Sequence, residues 1–587
     1  MNSFFTDYSW ATYGRKESSK EIWKKCQDET SRIRLFKEEI VFSWVMPVAE
    51  ETGPESFLKT YESLKNQSYP FWELVVVFDE VDFVDSPLIS EITQVKDKKV
   101  RIIKSESLFS DAAKKNFGFI KAVGNYVGVL NSGEILNPSL LFHFAVEIQK
   151  TASDLLYCNE VIEEEKSEKL FSKLEYSYLS LLNQNYVGRL WVLRKELIHS
   201  FDESCPALHE HLFLIHLARL NSNWRLVPIY GVRRIANESP KVSDHEYGKL
   251  LEGLNASGLT CHVLKNETDW NVLPDASVAV QAKVSVLVCF KDKADWTQKA
   301  LENFKRFAGN VPFEAILINN QSKPSELQKL KDFLSTAEIA HTLVDYTHPF
   351  NFGHMHNWAI ENYAKGEFLF LLNNDVFLKD EDRLKEMLGW VALPYVGTVG
   401  CLLRYQDGRI QHAGLTAHLG GESRLVRIGN EQNAEGFSHC TREVFGNTFA
   451  ACLMKRSTYE NLGGFRELDL ANGFGDVAFN LECQKAGLKN IHLGYLEGVH
   501  LESASRGMNY EYWEECILER EYPELLQKMA RYDLGFNRMP LTSSALRDLK
   551  TYAKGKARKS LPWLKDLKSS YIQFKMGMRH SQKTADR

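Results

Sequence analysis

The hydrophobic residues of this chain fall into short continuous runs, each followed by a stretch with helical periodicity. The runs are rich in β-branched and aromatic residues and end in polar ones, which is typical of strands buried on both faces of a parallel sheet. The order strand, helix, strand, helix, strand, polar turn occurs twice, roughly 240 residues apart. The corresponding strands lie at 41–50 and 283–292, 72–80 and 313–322, and 124–136 and 366–378. The pattern predicts an α/β protein with two tandem domains of the nucleotide-binding type.

The spacing of these elements sets the expected domain boundaries. A polar helical lead-in is predicted for residues 1–40, a first α/β domain for 41–235 and a second for 283–522. Residues 236–282 are expected to form a connector, with a helical piece followed by an extended one. Residues 523–587 are predicted to be helical and, in their later part, basic.

Near the end of that last region, apolar residues recur at helical spacing with basic residues between them. The apolar positions are Leu561, Leu564, Leu567, Tyr571, Phe574 and Met578, and the basic ones are Lys565, Lys568, Lys575 and Arg579. Two interpretations stay open. The segment is either a basic amphipathic helix on an anionic membrane surface or a terminal helix packed on the protein with a solvated basic face.

Composition narrows the class of protein without identifying it. With 587 residues the chain is too long for one core, and its 44% hydrophobic and 25% charged residues are ordinary for a soluble globular protein. The net charge of −5 gives no reason to expect a nucleic-acid partner. There is no run of about 18 apolar residues and no apolar signal-peptide core at the amino terminus, so a cytoplasmic location is expected. The ten cysteines are scattered, which favours reduced buried thiols.

Asn373, Asn374 and Asp375 follow an apolar run in the second repeat. In an open α/β sheet, ligands bind beyond the carboxyl ends of the strands. A divalent cation that bridges two phosphates takes oxygen ligands of the kind that Asp375 offers. Because Asn-Asn-Asp is also ordinary turn chemistry, these residues alone leave a structural interpretation open.

His500 follows a strand-like stretch and opens a polar loop that contains Ser503, Ser505 and Arg506. The hydroxyl and guanidinium groups of this loop suit phosphate oxygens, and imidazole suits Mn2+ better than Mg2+. A lone histidine is more often structural, but this one begins a polar loop where a strand should end. The pattern therefore indicates a metal ligand beside a donor-binding loop.

Asp476 follows a glycine-rich turn and precedes a helical pattern. A carboxylate at the start of a helix is often only a cap. The same position suits a general base that deprotonates an acceptor hydroxyl while its oxygen attacks a sugar carbon. One base and one metal suffice for a single displacement with inversion, since the metal neutralises charge on a nucleotide diphosphate leaving group.

Together, these motifs resemble the tandem family 2 glycosyltransferases with the GT-A fold that act in bacterial O-antigen and cell-surface polysaccharide synthesis, a group that includes rhamnosyltransferases. The resemblance covers roughly residues 40–540. Its strings are VSVLVCFKDKADW, NFGHMHNWAIENYAKGEFLFLLNND, GRIQHAG, GNTFAACLM, GGFRE, GFGDVAF and HLESASRG. It implies two GT-A domains, a nucleotide-sugar donor and a glycan or lipid-linked glycan acceptor.

The resemblance also implies roles for single residues. It makes Asp375 and His500 ligands of Mn2+ or Mg2+ and makes Asp476 the catalytic base. Asn373, Asn374, Ser503, Ser505 and Arg506 would belong to the donor site, and so would Lys291, Asp292 and Asn319.

Two departures from the family pattern concern specificity. Asn319 stands beside the expected nucleobase where the family usually has an aspartate, although an asparagine still accepts a hydrogen bond through its amide oxygen. FAAC, from Phe449 to Cys452, replaces a TGAC-like string that is expected to face the acceptor. His412 either lines the same acceptor pocket or is a packed structural histidine.

The first repeat lacks most of these acidic residues. LNSGE at 130–134 stands where the family has LDxDD, YCNEV at 157–161 where it has a YSDED-like string, and HEH at 209–211 where it has an acidic pair. Neutral residues hold a divalent cation against a diphosphate only weakly. We therefore expect this domain to be degenerate and to serve as a structural element or an acceptor platform.

The leading hypothesis is an inverting, metal-dependent glycosyltransferase with its active site in the second domain. One alternative is a bifunctional transferase or polymerase with both domains active. Another is a catalytically dead, glycan-binding scaffold subunit. The expected partners are the donor and the acceptor, with no nucleic acid, and peripheral contact with the inner face of the plasma membrane would come from the basic helix.

Overall fold

The structure is a computed structural model of the chain. It describes residues 9–12, 15–18, 20–22, 24–25, 38–48, 52–79, 87–105, 110–165, 167–220, 223–236, 241–256, 258–265, 270–277, 281–418, 424–427, 439–501 and 512–532. Of the two compact units into which the chain divides, Met1–Phe536 contains all of these residues. The predicted basic amphipathic helix belongs to the other unit, Asn537–Arg587, and lies outside the described residues.

In the described part of the chain, eleven strands of the first half form one sheet. They are β1 (Ser9–Thr12), β2 (Arg15–Ser18), β3 (Phe42–Pro47), β4 (Trp72–Asp79), β5 (Val100–Ser105), β6 (Tyr126–Val129), β7 (Ile135–Leu136), β8 (Leu155–Glu163), β9 (Glu168–Phe171), β10 (Trp191–Arg194) and β11 (Trp224–Ile235). Their order is β2-β1-β11-β8-β10-β6-β3-β4-β5, with β7 on β11 and β9 on β8.

The second half contains a small hairpin, then a ten-stranded sheet and a second hairpin among its described residues. The strands are β12 (Cys261–Lys265), β13 (Trp270–Pro274), β14 (Val284–Phe290), β15 (Phe313–Asn319), β16 (His341–Asp345), β17 (Phe368–Leu372), β18 (Val376–Leu378), β19 (Val396–Arg404), β20 (Ile410–His412), β21 (Leu415–His418), β22 (Arg424–Arg427), β23 (Thr441–Val444), β24 (Ala451–Lys455) and β25 (Lys489–His500). The large sheet has the order β16-β15-β14-β17-β24-β19-β25-β18, with β20 on β19 and β23 on β25.

Helices connect and cover these strands. They are α1 (Pro54–Lys65), α2 (Pro87–Gln94), α3 (Asp111–Lys121), α4 (Leu140–Thr151), α5 (Tyr178–Asn183), α6 (His209–Ala218), α7 (Asp244–Ala256), α8 (Ala294–Ala308), α9 (Pro324–Leu334), α10 (Phe352–Asn362), α11 (Leu384–Ala392), α12 (Arg456–Asn461), α13 (Gly475–Lys485), α14 (Tyr512–Glu521) and α15 (Pro523–Tyr532). No helix among the described residues is both long and apolar enough to cross a membrane.

The two large sheets share one topology, which confirms the predicted tandem α/β architecture. In each sheet, four strands at one side run parallel to their neighbours. These strands are β5-β4-β3-β6 in the first sheet and β16-β15-β14-β17 in the second. The next strand, β10 or β24, is antiparallel to both of its neighbours. The sheets are therefore mixed rather than parallel throughout. The apolar runs did not predict the antiparallel strand, because a local run does not encode which distant strand it pairs with.

The same hydrogen-bond network joins the first strands of each domain. In the first domain Ser43 donates to Glu73 at 2.5 Å, while the backbone N–H of Gly124 donates to the Ser43 hydroxyl at 2.8 Å. In the second, Ser285 donates to Glu314 and the N–H of Gly366 donates to Ser285, both at 2.8 Å. A Cβ at Gly124 would lie 2.5 Å from a backbone oxygen and one at Gly366 would lie 2.6 Å from another, so both positions require glycine.

The lead-in differs from its helical prediction. Residues 9–18 contain the hairpin β1–β2, and β1 pairs with β11 at Thr12 and Ile229. Trp10 is fully buried, and the Arg233 guanidinium lies 5.4 Å from its ring centroid. The sheet edge and the burial of Trp10 outweigh the local helical preference of these polar residues.

The connector packs between the domains. In addition to α7, it contains the hairpin β12–β13, whose Trp270 indole donates to the carbonyl of Leu182 in α5 at 2.9 Å. On its other side, the Asn271 amide oxygen accepts a hydrogen bond from the N–H of Thr441 in β23 at 3.1 Å. The hairpin thus links the first domain to the second by hydrogen bonds.

Candidate functional site

Asp375 is presented by a tight turn between two buried strands. β17 ends at Leu372 and β18 begins at Val376, whose N–H donates to the Asn373 carbonyl at 3.1 Å. The Asp375 residue is only 9% exposed. The turn interpretation and the ligand interpretation are compatible, because the turn itself directs the carboxylate to the carboxyl edge of the sheet.

Strand pairing brings His500 beside this carboxylate. β18 and β25 are antiparallel with Val376 opposite His500, and the N–H of Leu501 donates to the Asp375 carbonyl at 3.1 Å. The His500 Nε2 atom lies 3.3 Å from Asp375 Oδ1, and the imidazole is 4% exposed. Two residues separated by more than a hundred positions are therefore held together by backbone hydrogen bonds.

A third residue orients the imidazole. The His500 Nδ1 atom lies 2.7 Å from the Gln411 side-chain oxygen, which accepts a hydrogen bond from the ring when the proton is on Nδ1. The Nε2 lone pair then faces Asp375 and the Asn373 amide, which lies 3.4 Å away. A lone pair that faces a carboxylate at this distance favours a cation between them, and an outer partner on the other nitrogen is usual for a metal-bound histidine.

This donor set fits a divalent cation such as Mn2+ or Mg2+. Among the described residues there is no cluster of three or more His, Cys, Asp or Glu side chains that could hold a metal. Two protein ligands agree with a cation whose other positions are taken by diphosphate oxygens and water. One nitrogen and one carboxylate ligand suit Mn2+ somewhat better than Mg2+.

The motif strings point to His412 as a candidate but not to Gln411. Successive residues of a strand point to opposite faces, so only one of these neighbours in β20 reaches His500. His412 is 1% exposed, and its Nε2 accepts a hydrogen bond from the N–H of Thr448 at 3.1 Å. The alternation of β20 could have revealed Gln411, but the imidazole beside it was the more conspicuous group.

The three residues expected to face the acceptor lie in the core. His412, Phe449 and Cys452 are between 0% and 2% exposed. Burial raises the pKa of the Cys452 thiol well above its ordinary value, and Cys452 pairs with Leu371 in the centre of the sheet. This is a correction to the expectation of direct acceptor contact, because FAAC continues into the buried strand β24.

Asp476 is the second residue of α13 and is half-buried. Phe474 takes the capping position with a left-handed φ of 57°, and Asp476 Oδ1 accepts a hydrogen bond from the N–H of Val477 at 2.9 Å. The preceding loop packs on the start of α10, where the N–H of Phe352 donates to the Ala471 carbonyl at 2.9 Å. The carboxylate therefore lies at a helix N-terminus, without being the cap itself.

The loop after β14 is fixed by backbone geometry. Lys291 is exposed, and Asp292 has a left-handed φ of 56°. The Asp292 carboxylate accepts a hydrogen bond from the N–H of Lys323 at 2.7 Å, which ties this loop to the start of α9. Asn374 points to α8, where its amide donates to the Thr297 hydroxyl at 3.2 Å.

Asn319 is buried and has partners at both ends of its amide. Its oxygen accepts a hydrogen bond from the N–H of Ser322 at 3.0 Å, and its nitrogen donates to Asp345 Oδ1 at 2.7 Å. Asp345 ends β16 in register with Asn319 and is exposed. Asp345 is not part of any predicted site string, although an acidic residue at the end of an apolar strand is a signal that could have revealed it.

Ser503, Ser505 and Arg506 lie outside the described residues, since the structure describes the chain up to Leu501 and again from 512. Their predicted donor contacts stay predictions.

The paired strands identify the corresponding positions of the first domain. Tyr126 at the start of β6 and Phe368 at the start of β17 pair with the first residues of β3 and β14, so they are equivalent. Seven residues further along each chain segment, Gly133 is the counterpart of Asp375. The pairing of β7 with β11 places Arg234 where His500 stands. A carboxylate one position later, Glu134, accepts a hydrogen bond from the N–H of Asn131 at 2.8 Å, and burial raises its pKa.

The helix start is altered as well. Glu210 is the second residue of α6, as Asp476 is of α13, and it lies 2.5 Å from the Lys115 ammonium. Burial raises the pKa of Glu210, but Lys115 and Arg189 lower it more strongly, so the net shift is downward. In the second domain His356 stands at the position of Lys115, where its Nδ1 donates to the Phe352 carbonyl at 2.8 Å and its Nε2 lies 3.5 Å from the Cys289 thiol.

Comparison with known proteins supports this architecture. Residues 43–216 and 285–463 each match the sequence model of glycosyl transferase family 2. The O-antigen biosynthesis protein RfbC of Myxococcus xanthus is 26% identical over 488 residues, covering 79% of this chain and 38% of that protein. The uncharacterized protein y4gI of Sinorhizobium fredii is 25% identical over 503 residues, covering 81% and 54%. The chain thus spans between about a third and about a half of the length of these relatives.

Two solved structures match parts of the chain. The mannosyltransferase PcManGT of Pyrobaculum calidifontis, solved with GDP-Man and Mn2+, is 20% identical with a TM-score of 0.31, covering 48% of this chain and 81% of that one. TarS of S. aureus, residues 1–349 in complex with UDP, is 18% identical with a TM-score of 0.31, covering 37% and 65%.

Proposed function

The chain belongs to glycosyl transferase family 2 and is a glycosyltransferase, and on that premise we propose that its second domain transfers a sugar from a nucleotide-sugar donor to a glycan acceptor with inversion. The observation that carries the proposal is the pairing of Asp375 with His500 under the control of Gln411. A buried carboxylate and an imidazole lone pair meet beyond the carboxyl end of β17, which runs parallel to β14, and such strand ends are where α/β folds bind their ligands.

Asp375 and His500 would hold Mn2+ or Mg2+, which supplies positive charge to the diphosphate leaving group when bound. The chain's own contribution is to keep the ligands in place. β18 and β25 fix the two backbones, Gln411 keeps the proton of His500 on Nδ1, and the Asn373 amide lies on the Nε2 side. Lys291, Asn374, Ser503, Ser505 and Arg506 are proposed to bind the donor around this centre.

Asp476 is proposed as the base. Its carboxylate would accept the acceptor hydroxyl proton while the oxygen attacks the anomeric carbon from the face opposite the diphosphate, and the bond from sugar to phosphate breaks in the same step.

One active site, rather than two, is proposed for the chain. Where the second domain has Asp375 and His500, the first has Gly133 and Arg234. Where the second has Asp476, the first has Glu210 in an ion pair with Lys115. The guanidinium of Arg234 replaces the histidine ligand, and the ammonium of Lys115 neutralises the Glu210 carboxylate. We therefore propose a structural role for the first domain.

The biological setting is a further part of the proposal. The name of the Myxococcus xanthus relative refers to O-antigen biosynthesis, which suggests surface polysaccharide synthesis. The acceptor proposed for this setting is a lipid-linked glycan, as the family resemblance implies. That setting would place the enzyme in the cytoplasm, in peripheral contact with the inner face of the plasma membrane through the basic segment beyond residue 541.

A donor panel tests the proposal. Release of nucleoside diphosphate from dTDP-, UDP- and GDP-sugars would be followed with Mn2+ or Mg2+ and then with EDTA, with Glu134→Gln as matched control for Asp375→Asn. We expect metal-dependent release that Asp375→Asn abolishes and Glu134→Gln preserves. Loss of release in Glu134→Gln would instead indicate a second active site. Absence of release with every donor, with and without glycan acceptors, would favour a scaffold subunit.

A further inference from the structure

A cleft of about 540 Å³ lies between α10 and the loop that contains GGFRE. Residues at helical spacing along α10, among them His354, Trp358 and Glu361, form one wall. The loop supplies the other wall with Arg466, Glu467 and Leu468. The cleft is distinct from the pair of Asp375 and His500, because none of the metal-site residues lines it.

The walls of this cleft are held in fixed positions. The Asn357 amide oxygen accepts a hydrogen bond from the N–H of Phe465 at 2.9 Å, and its nitrogen donates to the Phe465 carbonyl at 2.8 Å. Arg466 makes ion pairs with Asp469 and with Glu521 of α14. Hydrogen bonds to Asp469 hold the pKa of Arg466 above its usual range, so the guanidinium stays charged and tied to the loop. A preformed cleft loses little entropy when a ligand binds.

The chemistry of the cleft selects against phosphate. Its carboxylates are Glu361, Glu467 and Asp469, whereas its arginine is already paired with acidic groups. Glu467 receives one hydrogen bond at Oε2, from Asn357 at 3.1 Å. Carboxylates with remaining lone pairs attract hydroxyl donors and repel a nucleoside diphosphate.

The apolar lining of the cleft includes a half-buried tryptophan and an exposed leucine. Trp358 is half-buried, and Tyr346 and Tyr363 contact it in T-shaped arrangements at 5.8 and 5.2 Å, which fix the plane of its ring. Leu468 at the rim is 94% exposed. An aromatic face beside carboxylate acceptors matches a neutral sugar ring, whose C–H face packs on the ring while its hydroxyls donate.

The same loop leads to the proposed base. From Leu468 it continues to Ala471, whose carbonyl accepts the N–H of Phe352, and then to Asp476. We infer that the cleft between α10 and residues 463–469 is a binding subsite for neutral sugar units of the acceptor glycan, beyond the unit that reacts. The assignment to the acceptor rests on the proposed function, whereas sugar binding by the cleft does not.

Fluorine NMR of the full chain labelled with 5-fluorotryptophan tests the inference without any donor. Trp358→Phe assigns the Trp358 signal among the twelve tryptophans. The probes are methyl glycosides and disaccharides of rhamnose, mannose, galactose and N-acetylglucosamine. UDP and GDP are added separately to test whether the cleft binds a nucleotide instead of a sugar. We expect at least one neutral sugar to shift the Trp358 signal and neither nucleotide to do so.

Glu467→Gln should weaken that binding about tenfold, because it loses a charged hydrogen-bond acceptor. Glu460→Gln, on the exposed side of α12, is the matched control and should leave the affinity unchanged. Thermal unfolding of each variant checks that the fold is intact.

The inference is overturned if no neutral sugar shifts the Trp358 signal, if UDP or GDP shifts it instead, or if Glu467→Gln and Glu460→Gln bind equally well. A sugar-dependent shift in a protein that turns over no donor would preserve the cleft as a sugar site while the proposed transfer reaction failed. Where transfer is measurable, Glu467→Gln should raise KM for long acceptors about tenfold with kcat unchanged.

Discussion

The two domains share a framework and differ in the site that it carries. Besides the serine–glutamate–glycine network, each has an asparagine that clamps the backbone of one phenylalanine. Asn116 donates to the Phe201 carbonyl at 3.1 Å and accepts its N–H at 2.7 Å, just as Asn357 binds Phe465. The loops that position a base are thus built alike in both halves, so the scaffold alone does not make a domain catalytic.

The two domains differ in which positively charged groups face their buried acidic side chains. In the second domain the Asp375 carboxylate and the His500 imidazole face each other, and the proposed function places an external cation between them. In the first domain the chain supplies its own cations, since Arg234 and Lys173 lie 2.6 and 2.7 Å from the fully buried Glu160. Ion pairs within the chain thus stand in the first domain where the second is proposed to bind a metal and a donor. Matched substitutions in the two domains test this difference.

The largest effect is expected from the two carboxylates at the helix starts. Asp476→Asn should lower the transfer rate by up to about 10⁴-fold with donor affinity unchanged, because only proton acceptance is lost. Glu210→Gln should leave the transfer rate unchanged. Steady-state transfer and calorimetric donor binding measure both variants. An equal loss of rate in Glu210→Gln would contradict the contrast between the domains.

The next effect concerns stability and its dependence on pH. Burial raises the pKa of Glu160, but Lys173 and Arg234 lower it further, to about 2. Because this folded pKa lies below the ordinary value, the stabilisation is complete above about pH 4.5 and is lost as the pH falls towards about 2. Glu160→Gln should lower stability by about 3 kcal/mol at neutral pH and by less in acid.

Thermal unfolding at about pH 7 and about pH 3 measures that difference. Glu497→Gln in the second domain is the control, because Glu497 is partly exposed and its ion pairs with Arg404 and Lys379 are screened by solvent. Destabilisation by Glu160→Gln that is the same at both pH values would refute the role of the buried ion pairs.

A smaller effect is expected from Gln411, which has no counterpart in the proposed chemistry of the first domain. Gln411→Ala should weaken the apparent affinity for Mn2+ by about 10- to 100-fold, because the proton of His500 is no longer fixed on Nδ1. At saturating Mn2+ the rate should recover. Gln406→Ala, at an exposed position of the preceding turn, is the control. A rate that stays low at saturating Mn2+ would assign Gln411 a different role.

The smallest effect is expected at the nucleobase. A carboxylate accepts a ring N–H from uracil, thymine or guanine, whereas adenine and cytosine present a lone pair there. Asp345→Asn should therefore weaken binding of UDP, dTDP or GDP about tenfold and leave ADP and CDP unaffected. Asp332→Asn, on the outer face of α9, is the control. Unchanged affinity for all five nucleotides would remove Asp345 from the donor site.

The repeated sheet was predictable because its strands are continuous apolar runs, which local periodicity reveals. The antiparallel course of β10 and β24 and the hairpin at Trp10 were not, since they depend on which distant edges pair. In the site, Asp375 and His500 were found through motif strings. Gln411 and Asp345 were missed because each gains its meaning from one contact across the sheet, with His500 and with Asn319 respectively.

β25 ends in His500, the proposed metal ligand, and its early part pairs with a strand that contacts the first domain. β23 pairs with the early part of β25, and its Glu443 accepts a hydrogen bond from Ser177 and donates its N–H to Ser180, both at 2.9 Å. β25 therefore pairs along its early part with the strand that contacts the first domain and carries His500 at its other end. The first domain therefore supports the strand that pairs with β25, and a second domain expressed alone would lose that support for the strand that holds His500.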